Sequence, residues 1–320
     1  MGELPPDVVH VALEVDAATR GKFDRAFAAH GLAVRFLQGS AELREHLADC
    51  RYLLIGRPPR LDWSPARELR LLQVAGTGVD PLFPALGLVD TALIANLRGP
   101  HLDSVRDHVL ALLLATARNL PQSLAQQGQR RWHSFPSAPL TGKVLTLLGY
   151  GGIGRRIAPV ARALGMSVRA VRRSTNIASG VDECYTFDRL AEAVGGADYV
   201  VLCLPLTSAT RRLVDQQLLA RLSSRAVVIN VSRGGVLDEA ALERALRSGE
   251  LAGAALDVFE DEPLDPESTL WDCPGLIVTP HVGGFIPDYF DRVLDGFVEN
   301  VGRVRRGHVP ESMVSREHEY

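Results

Sequence analysis

Three separated segments of the chain carry turns and side chains that are suited to chemistry. Glycines alternate in Gly149-Tyr150-Gly151-Gly152-Ile153-Gly154, an arginine follows an apolar run at Arg233, and Glu262 and His281 lie further along. A glycine-rich turn before a helix can cradle phosphates. An arginine can hold a carboxylate and polarise a carbonyl, and an imidazole can move a proton near neutral pH. Together these groups are typical of hydride transfer between a dinucleotide and a small 2-oxo or 2-hydroxy acid.

The glycine turn lies in the context that a dinucleotide-binding fingerprint requires. The apolar run 143–148 leads directly into it, and residues 155–164 continue with a helical pattern. We expect Gly149 to make the tight turn, Gly151 to admit the pyrophosphate, and Gly154 to let the helix pack on the strand. The other predicted cofactor-binding residues of the turn are Tyr150, Gly152 and Ile153.

The end of the next predicted strand indicates which dinucleotide fits. An NAD-binding domain carries an acid there, about 20 residues after the last glycine, to hold the adenosine ribose. This chain has Arg172, Arg173 and Ser174 near that spacing instead. Because a guanidinium pairs well with a 2′-phosphate, we predict NADP(H) as the preferred cofactor and NAD(H) as a second one. The alternative interpretation is a solvated basic turn.

Arg233, Glu262 and His281 are the predicted catalytic residues. Arg233 follows the predicted strand 226–231, at the carboxyl end of a parallel strand, where open α/β sheets bind ligands. His281, in the turn 279–284, can protonate the alkoxide that hydride addition creates, and Glu262 can favour the charged ring. Singly, these residues have ordinary alternatives: a helix-capping arginine, a surface glutamate and a structural histidine. Their conjunction with the glycine turn favours catalysis.

Composition limits the classes of function. The 320 residues are 46% hydrophobic with a net charge of -3, which predicts two domains and no basic face for nucleic acid. The four cysteines lack CxxC spacing, so neither a metal site nor a disulfide framework is predicted. The start of the chain has no secretory signal pattern, and the apolar run Val109–Ala117 is too short to span a bilayer. We therefore expect a cytoplasmic protein with no membrane partner.

Alternating apolar and helical segments predict the elements that position these residues. Short apolar runs bounded by glycine, proline and aspartate occur in the first hundred residues at 8–15, 34–37, 52–55, 71–75 and 93–95. Six more follow, at 144–148, 167–171, 199–204, 226–231, 254–259 and 276–279. Helical patterns cover 102–118 and 290–306. The predicted fold class is α/β, with two doubly wound parallel sheets.

With these residues considered, the chain resembles the D-isomer-specific 2-hydroxyacid dehydrogenases nearly from end to end. The matching segments are 74–80, 204–210, 232–235 and 257–263. The resemblance implies that Arg233, Glu262 and His281 form a catalytic triad. It also implies that the substrate carboxylate is held by the main chain of Gly76, Thr77 and Gly78, with Arg233 and His281 beside it. The cofactor residues that it adds are Pro205, Thr210 and Asp257, the last near the nicotinamide carboxamide.

The same resemblance implies a domain organisation. A Rossmann dinucleotide-binding domain, 101–286, is inserted into a flavodoxin-like substrate domain made of 1–100 and 287–320, with a hinge that closes the two and a homodimer as the assembly. The strand end at Arg172 is similar to that of NADPH-dependent glyoxylate and hydroxypyruvate reductases. One departure is the segment 106–108, Arg-Asp-His, where Ala-Glu-His is commoner.

Other functions on this scaffold remain open. Phosphite oxidation is expected to need a lysine near Thr77, and the two lysines are Lys22 and Lys143. Phosphoglycerate dehydrogenases usually prefer NAD, for which the acid is missing. Another alternative is a NAD(P)-sensing scaffold, as in the transcriptional corepressors that are similar to this family, since they can retain the triad. A regulator usually shows a basic tail, and this sequence shows none. Four further residues are interpreted as structural, either as second-layer histidines or as core or interface tryptophans: His101, His108, Trp132 and Trp271.

Overall fold

The computed structural model describes residues 7–59, 61–82, 92–97, 99, 101–173 and 179–317. These residues belong to two compact units. The first unit is Met1–Pro100 with Pro287–Tyr320, and the second unit is His101–Ile286.

The strands follow the apolar runs of the sequence. In the first unit they are β1 (Asp7–Ala12), β2 (Leu32–Phe36), β3 (Tyr52–Ile55), β4 (Leu71–Val74) and β5 (Leu93–Asn96). In the second unit they are β6 (Val144–Leu148), β7 (Ser167–Val171), β8 (Glu183–Tyr185), β9 (Tyr199–Leu202), β10 (Val227–Asn230), β11 (Gly253–Leu256) and β12 (Leu276–Val278).

The helices alternate with these strands along the chain. They are α1 (Ala17–Ala29), α2 (Gly39–His46), α3 (Leu102–Ala117), α4 (Leu120–Gly128), α5 (Gly154–Ala163), α6 (Leu190–Val194), α7 (Gln216–Leu219), α8 (Glu239–Ser248) and α9 (Tyr289–Arg305). Within the described residues, no helix is both long and apolar enough to cross a bilayer.

The first unit is a five-stranded parallel sheet in the order β2-β1-β3-β4-β5, which is the flavodoxin-like order. Aromatic side chains of α1 and α9 cover one face of this sheet. Phe27 meets Phe23 and Phe297 edge to face, with ring centroids 5.9 and 6.0 Å apart, and all three rings are fully buried. Trp63 is buried in a second cluster with Leu43 of α2. The sheet is therefore covered on both faces.

The second unit is a seven-stranded parallel sheet in the order β12-β11-β10-β9-β6-β7-β8. Counted from β6, six of these strands have the Rossmann order 3-2-1-4-5-6, and β12 extends the edge. Strands β9, β10 and β11 are buried along their whole length, which explains why they read as continuous apolar runs. The predicted fold class is thus confirmed.

Several details of the predicted elements were wrong, including the ends of the strands predicted at 8–15 and 199–204, which stop at Ala12 and Leu202. Strand β8 was missed because its three residues, Glu183 to Tyr185, form no apolar run. The predicted strand 254–259 ends at Leu256, since Asp257 turns its carboxylate onto a neighbouring loop. Helix α4 was also missed, although Pro121 lies in its first turn, where proline is favoured.

The two tryptophans that were expected in a core or interface do not lie in a core. Trp132 is 99% exposed and Trp271 is 50% exposed. Trp132 follows α4, where the main-chain N–H of Arg131 donates to Gln126 O and that of His133 donates to the Gln126 side chain. The ring of Trp132 is therefore presented to solvent beside α4.

Candidate active site

The glycine turn follows β6 and requires glycine at two positions for steric reasons. Gly149 has φ 103°, and a Cβ there would lie 2.6 Å from the carbonyl oxygen of Cys203. A Cβ on Gly154 would lie 2.5 Å from Gly149 O. No atom lies within 4 Å of a Cβ built on Gly151, which is exposed. The turn thus packs tightly against the sheet and opens at Gly151, where a pyrophosphate would have to approach the main chain.

The remaining residues of this turn hold it in place. The Tyr150 hydroxyl donates to Ser179 O at 2.6 Å, and burial raises the pKa of this phenol, so it stays neutral. A Cβ on Gly152 would lie 2.9 Å from the end of the Leu102 side chain. Ile153 is half-buried against the core beneath α5. Helix α5 begins at Gly154 and directs its N-terminus at the turn, which favours an anion there.

The residues expected to select the dinucleotide follow β7. The N–H of Gly149 donates to Val171 O, so the glycine turn starts beside the end of this strand. Arg172, the next residue, is half-buried and lies close enough to Tyr150 for its charge to lower the pKa of that phenol against the larger effect of burial. Arg173 is exposed, and Ser174 lies outside the described residues. A basic group thus stands next to the glycine turn.

Arg233 lies in the segment that follows β10, and Asn230 fixes that segment. The buried Asn230 side chain accepts from the Ser232 N–H and hydroxyl, and it donates to Arg233 O at 3.1 Å. The Arg233 guanidinium donates to Ser232 O at 2.6 Å. His101 is buried nearby, and burial together with the Arg233 charge lowers the pKa of His101. A neutral His101 therefore accompanies the cationic Arg233.

Glu262 and His281 contact each other directly. Glu262 Oε2 lies 2.9 Å from His281 Nδ1, and Glu262 Oε1 accepts from the Phe259 N–H at 3.0 Å. The imidazole is 46% exposed, whereas the glutamate side chain is 19% exposed. His281 has φ 53°, a left-handed conformation that costs about 1–3 kcal/mol for a non-glycine residue and that clusters at functional sites.

Asp257 holds the turn that carries His281. Its carboxylate accepts from the N–H groups of Val282 and Gly283 at 3.0 and 2.9 Å and from the Thr279 hydroxyl at 2.6 Å. His108 Nε2 lies 3.3 Å from the same carboxylate and 3.1 Å from Thr279 Oγ1. Burial alone would raise the pKa of Asp257, but these hydrogen bonds outweigh it and lower the pKa. The charged Asp257 therefore ties the strand end of β11 to the turn after β12.

The proposed substrate loop, Gly76 to Gly78, follows β4 in the first unit and is tied to β5. Gly76 O accepts from the Leu97 N–H at 3.0 Å, and Thr77 O accepts from the Asn96 side chain at 2.8 Å. In a trans peptide the N–H points opposite to the carbonyl. The N–H groups of Thr77 and Gly78 therefore point away from β5.

Pro205 and Thr210 bracket a turn after β9. The Thr210 hydroxyl donates to Pro205 O at 2.6 Å and accepts from the Thr207 N–H at 2.8 Å. Its side chain is buried and engaged within its own turn. The structure thus gives Thr210 the task of shaping this loop.

Two further residues of the site were assigned no role from the sequence. A Cβ on Gly234 would lie 1.9 Å from the carbonyl carbon of Phe259, so only glycine allows this contact. Glu239 accepts from the Glu260 N–H at 2.5 Å. Gly234 and Glu239 could have been recognised in the sequence from Arg-Gly-Gly followed by Asp-Glu, a pattern typical of a helix start.

Within the described residues, no group of three or more His, Cys, Asp or Glu side chains is placed to hold a metal ion. The described residues instead bring three loops to one edge of the sheet. Arg233 follows β10, Glu262 follows β11 and His281 follows β12, and these three strands are adjacent in the sheet. The three predicted catalytic side chains thus leave neighbouring carboxyl ends of one sheet, with the glycine turn at the end of β6.

Comparison with known proteins decides the family. The model of the D-isomer specific 2-hydroxyacid dehydrogenase, NAD binding domain, matches residues 110–283, which is over half of the chain. The chain belongs to this family. The resemblance inferred from the sequence is thereby confirmed, including the class of oxidoreductases and a domain for a nicotinamide dinucleotide.

Relatives of this dehydrogenase family differ in their reported substrates. The chain is 30% identical to the D-3-phosphoglycerate dehydrogenase of Methanocaldococcus jannaschii over 283 residues, which is 86% of this chain and 53% of that protein. The chain thus spans about half the length of the curated phosphoglycerate dehydrogenases that it matches.

Two solved structures resemble almost the whole chain. The NADPH-dependent glyoxylate/hydroxypyruvate reductase of Sinorhizobium meliloti, in complex with NADP and sulfate, has a TM-score of 0.84 and 29% identity, covering 98% of this chain and 100% of that one. A D-isomer specific 2-hydroxyacid dehydrogenase of Xanthobacter autotrophicus, in complex with NADPH and MES, has a TM-score of 0.83 and 31% identity, covering 99% and 100%.

Proposed function

We propose that the protein is an NADP(H)-dependent oxidoreductase that interconverts a small 2-oxo acid and the D-2-hydroxy acid, with glyoxylate or hydroxypyruvate as the substrate class. The observation that carries this proposal is the Glu262–His281 hydrogen bond of 2.9 Å. It joins residues that follow β11 and β12, and Arg233 follows the adjacent strand β10 of the same sheet. A paired, half-exposed imidazole and an arginine at the carboxyl ends of the same sheet are the donor set that carbonyl reduction needs.

Each catalytic side chain has a task in this proposal. The bound nicotinamide supplies the hydride in the reducing direction and accepts it in the other. Arg233 holds the substrate and stabilises the charge that develops on the carbonyl oxygen. His281 delivers a proton from Nε2 to that oxygen, because Glu262 occupies Nδ1. Glu262 orients the ring and stabilises its charged form.

The substrate carboxylate is assigned to the loop after β4. Because the carbonyls of Gly76 and Thr77 are bound toward β5, the N–H groups of Thr77 and Gly78 are turned away from it together. Successive N–H groups that face one side make a small anion-binding surface. This geometry supports the family-based assignment of Gly76, Thr77 and Gly78.

NADP(H) is the proposed cofactor. The glycine turn fits a pyrophosphate, since a Cβ on Gly151 would meet no atom of the protein. Arg172 and Arg173, at the end of β7, would hold the 2′-phosphate. Two related structures contain NADP or NADPH, which supports the same choice. NAD(H) is proposed to bind more weakly.

The experiment that tests this function is NADPH oxidation with a panel of 2-oxo acids. The panel comprises glyoxylate, hydroxypyruvate, pyruvate, phenylpyruvate, 2-ketoisocaproate and 3-phosphohydroxypyruvate, each repeated with NADH. We expect turnover with NADPH and a small member of the panel. Tight NADPH binding without turnover on any member would contradict the enzymatic proposal and favour a nucleotide-sensing scaffold. Fastest turnover of 3-phosphohydroxypyruvate with NADH would instead favour phosphoglycerate oxidation.

We also propose that the protein is a homodimer that uses the apolar surface of Leu120, Leu124 and Trp132. These side chains are 47%, 66% and 99% exposed, and α4 has no buried residue of its own. Large apolar side chains grouped on a surface mark interaction sites.

In sedimentation velocity we expect the wild type to be dimeric and the double variant Leu124→Asp with Trp132→Ser to be monomeric. Trp271→Ser is the control, and a monomeric wild type would contradict the proposal.

A further inference from the structure

We propose that Glu239 is a positioning residue for the Glu262–His281 pair, a role that rests on the function proposed above. Its carboxylate binds the main chain of the loop between β11 and Glu262. Through that contact it fixes the loop from which Glu262 reaches the imidazole. Glu239 itself touches no reacting group, so its effect passes through Glu262.

The start of α8 places Glu239 rigidly. The carboxylate of Asp238 caps this helix by accepting from the Ala241 N–H at 2.9 Å, and Glu239 is the first helical residue. The preceding segment is held as well, because the Val214 N–H donates to Val236 O and the Asp238 N–H donates to Val214 O. A side chain that leaves such a fixed helix end can serve as an anchor.

The anchored loop is held by three contacts that act on consecutive groups. The Phe259 N–H donates to Glu262 Oε1 at 3.0 Å, and the Glu260 N–H donates to Glu239 Oε1 at 2.5 Å. Gly234 packs against the peptide group between Phe259 and Glu260, where any Cβ would clash at 1.9 Å. The peptide between Phe259 and Glu260, two residues before Glu262, is therefore clamped between Gly234 and Glu239.

This clamp connects two members of the proposed triad. Gly234 directly follows Arg233, and Glu239 lies five residues further along the same segment. The segment that presents Arg233 thus also fixes the loop that presents Glu262. Releasing the clamp would let Glu262 shift relative to Nδ1 of His281, and a shift of about 1 Å at a catalytic group can cost roughly 10²-fold in rate.

The surroundings of Glu239 disfavour its ionised form. Burial, with a smaller effect from the carboxylates of Glu260, Asp261 and Glu262, raises the pKa of Glu239 to about 7, against the lowering effect of the Glu260 N–H. Arg212 offsets part of this negative charge by pairing with Glu260 at 3.6 Å. Keeping a glutamate among three other acids is unfavourable, which is understandable if the site needs its hydrogen bond.

The test compares Glu239→Ala, Glu239→Gln and Glu243→Ala. Alanine removes the acceptor, glutamine keeps a carbonyl oxygen of the same reach, and Glu243 is a control one turn further along α8, where it pairs with Arg247 at 2.8 Å. We expect Glu239→Ala to lower kcat by about 10- to 100-fold, the scale of a small misplacement of a catalytic group, with the Kd for NADPH unchanged. Glu239→Gln should restore most of the activity, and Glu243→Ala should resemble the wild type.

A second readout does not depend on turnover. The ring of His281, followed by ¹⁵N NMR in the resting protein at one fixed pH, should show a changed Nδ1 chemical shift in Glu239→Ala, because Glu262 no longer holds Nδ1 at 2.9 Å. The Nδ1 signal in Glu239→Gln and Glu243→Ala should stay near that of the wild type. An unchanged Nδ1 signal and kcat in a folded Glu239→Ala protein would overturn the role of Glu239. Absence of wild-type turnover, with the change in the Nδ1 signal present, would overturn only the proposed substrate class.

Discussion

Replacing His281 with alanine is expected to lower kcat for carbonyl reduction by about 10²- to 10⁴-fold, the usual contribution of a positioned general acid. The imidazole is 46% exposed and held by Glu262 at 2.9 Å, and its main chain is fixed by Asp257 through Val282 and Gly283. Since neither contact involves the glycine turn, NADPH should bind to the variant as it does to the wild type. Stopped-flow single turnover with a separate Kd measurement separates these effects.

The pH dependence provides an independent check of the same role. In the reducing direction the imidazole must deliver a proton to the carbonyl oxygen, so wild-type kcat should depend on pH. His281→Ala should lose this dependence together with most of its rate. His133→Ala, which changes an exposed histidine of the same unit, is the matched control. A kcat within about threefold of the wild type in His281→Ala would show that another group supplies the proton.

The sequence indicated the sheets well because of how they are buried. Strands β9, β10 and β11 are covered on both faces and appear as unbroken apolar runs. The edge strand β8 has an exposed Glu183 and only partly buried neighbours, so no run marks it. Burial on two faces leaves a strong signal in the sequence, and burial at an edge does not.

The candidate site was predictable in its parts and not in its contacts. Arg233, Glu262 and His281 could be chosen because each follows a predicted strand. Their supporting contacts join loops far apart in the chain, such as Asp257 with Gly283 and Glu239 with Glu260. Those pairings depend on β10, β11 and β12 lying side by side, and the order of strands in a sheet is not written in local periodicity.

The chemical type of a residue can also mislead when its surroundings are unknown. Trp132 was interpreted as filling a core or an interface, because tryptophan carries a large apolar surface. It lies almost fully exposed beside α4, which excludes the core and leaves the interface as a proposal. A burial preference averaged over many proteins cannot distinguish a core from a surface that awaits a partner.

Exchange of Arg172→Asp together with Arg173→Ser is expected to move cofactor preference from NADPH toward NADH. An ion pair between a guanidinium and a 2′-phosphate contributes roughly 1.5–3 kcal/mol. The ratio of kcat/KM for NADPH to kcat/KM for NADH should therefore fall by about ten- to a hundredfold. The carboxylate introduced by the first substitution would repel the phosphate and accept from a free ribose 2′-hydroxyl, which widens the change. Arg172 stands at the end of β7 next to the glycine turn, where both effects would act.

The control for this exchange is Arg162→Ser, which removes one positive charge from α5 where it pairs with Asp182 at 3.3 Å. It should leave the ratio nearly unchanged, because the charge of Arg162 is already paired with Asp182 and is screened by solvent and salt. If the double exchange also left the ratio unchanged, the strand end would be a solvated basic turn and the 2′-phosphate would have to be held elsewhere. A fall confined to NADPH, with the rate on NADH kept or raised, places the discrimination in the two arginines themselves, since a damaged fold would lower both rates together.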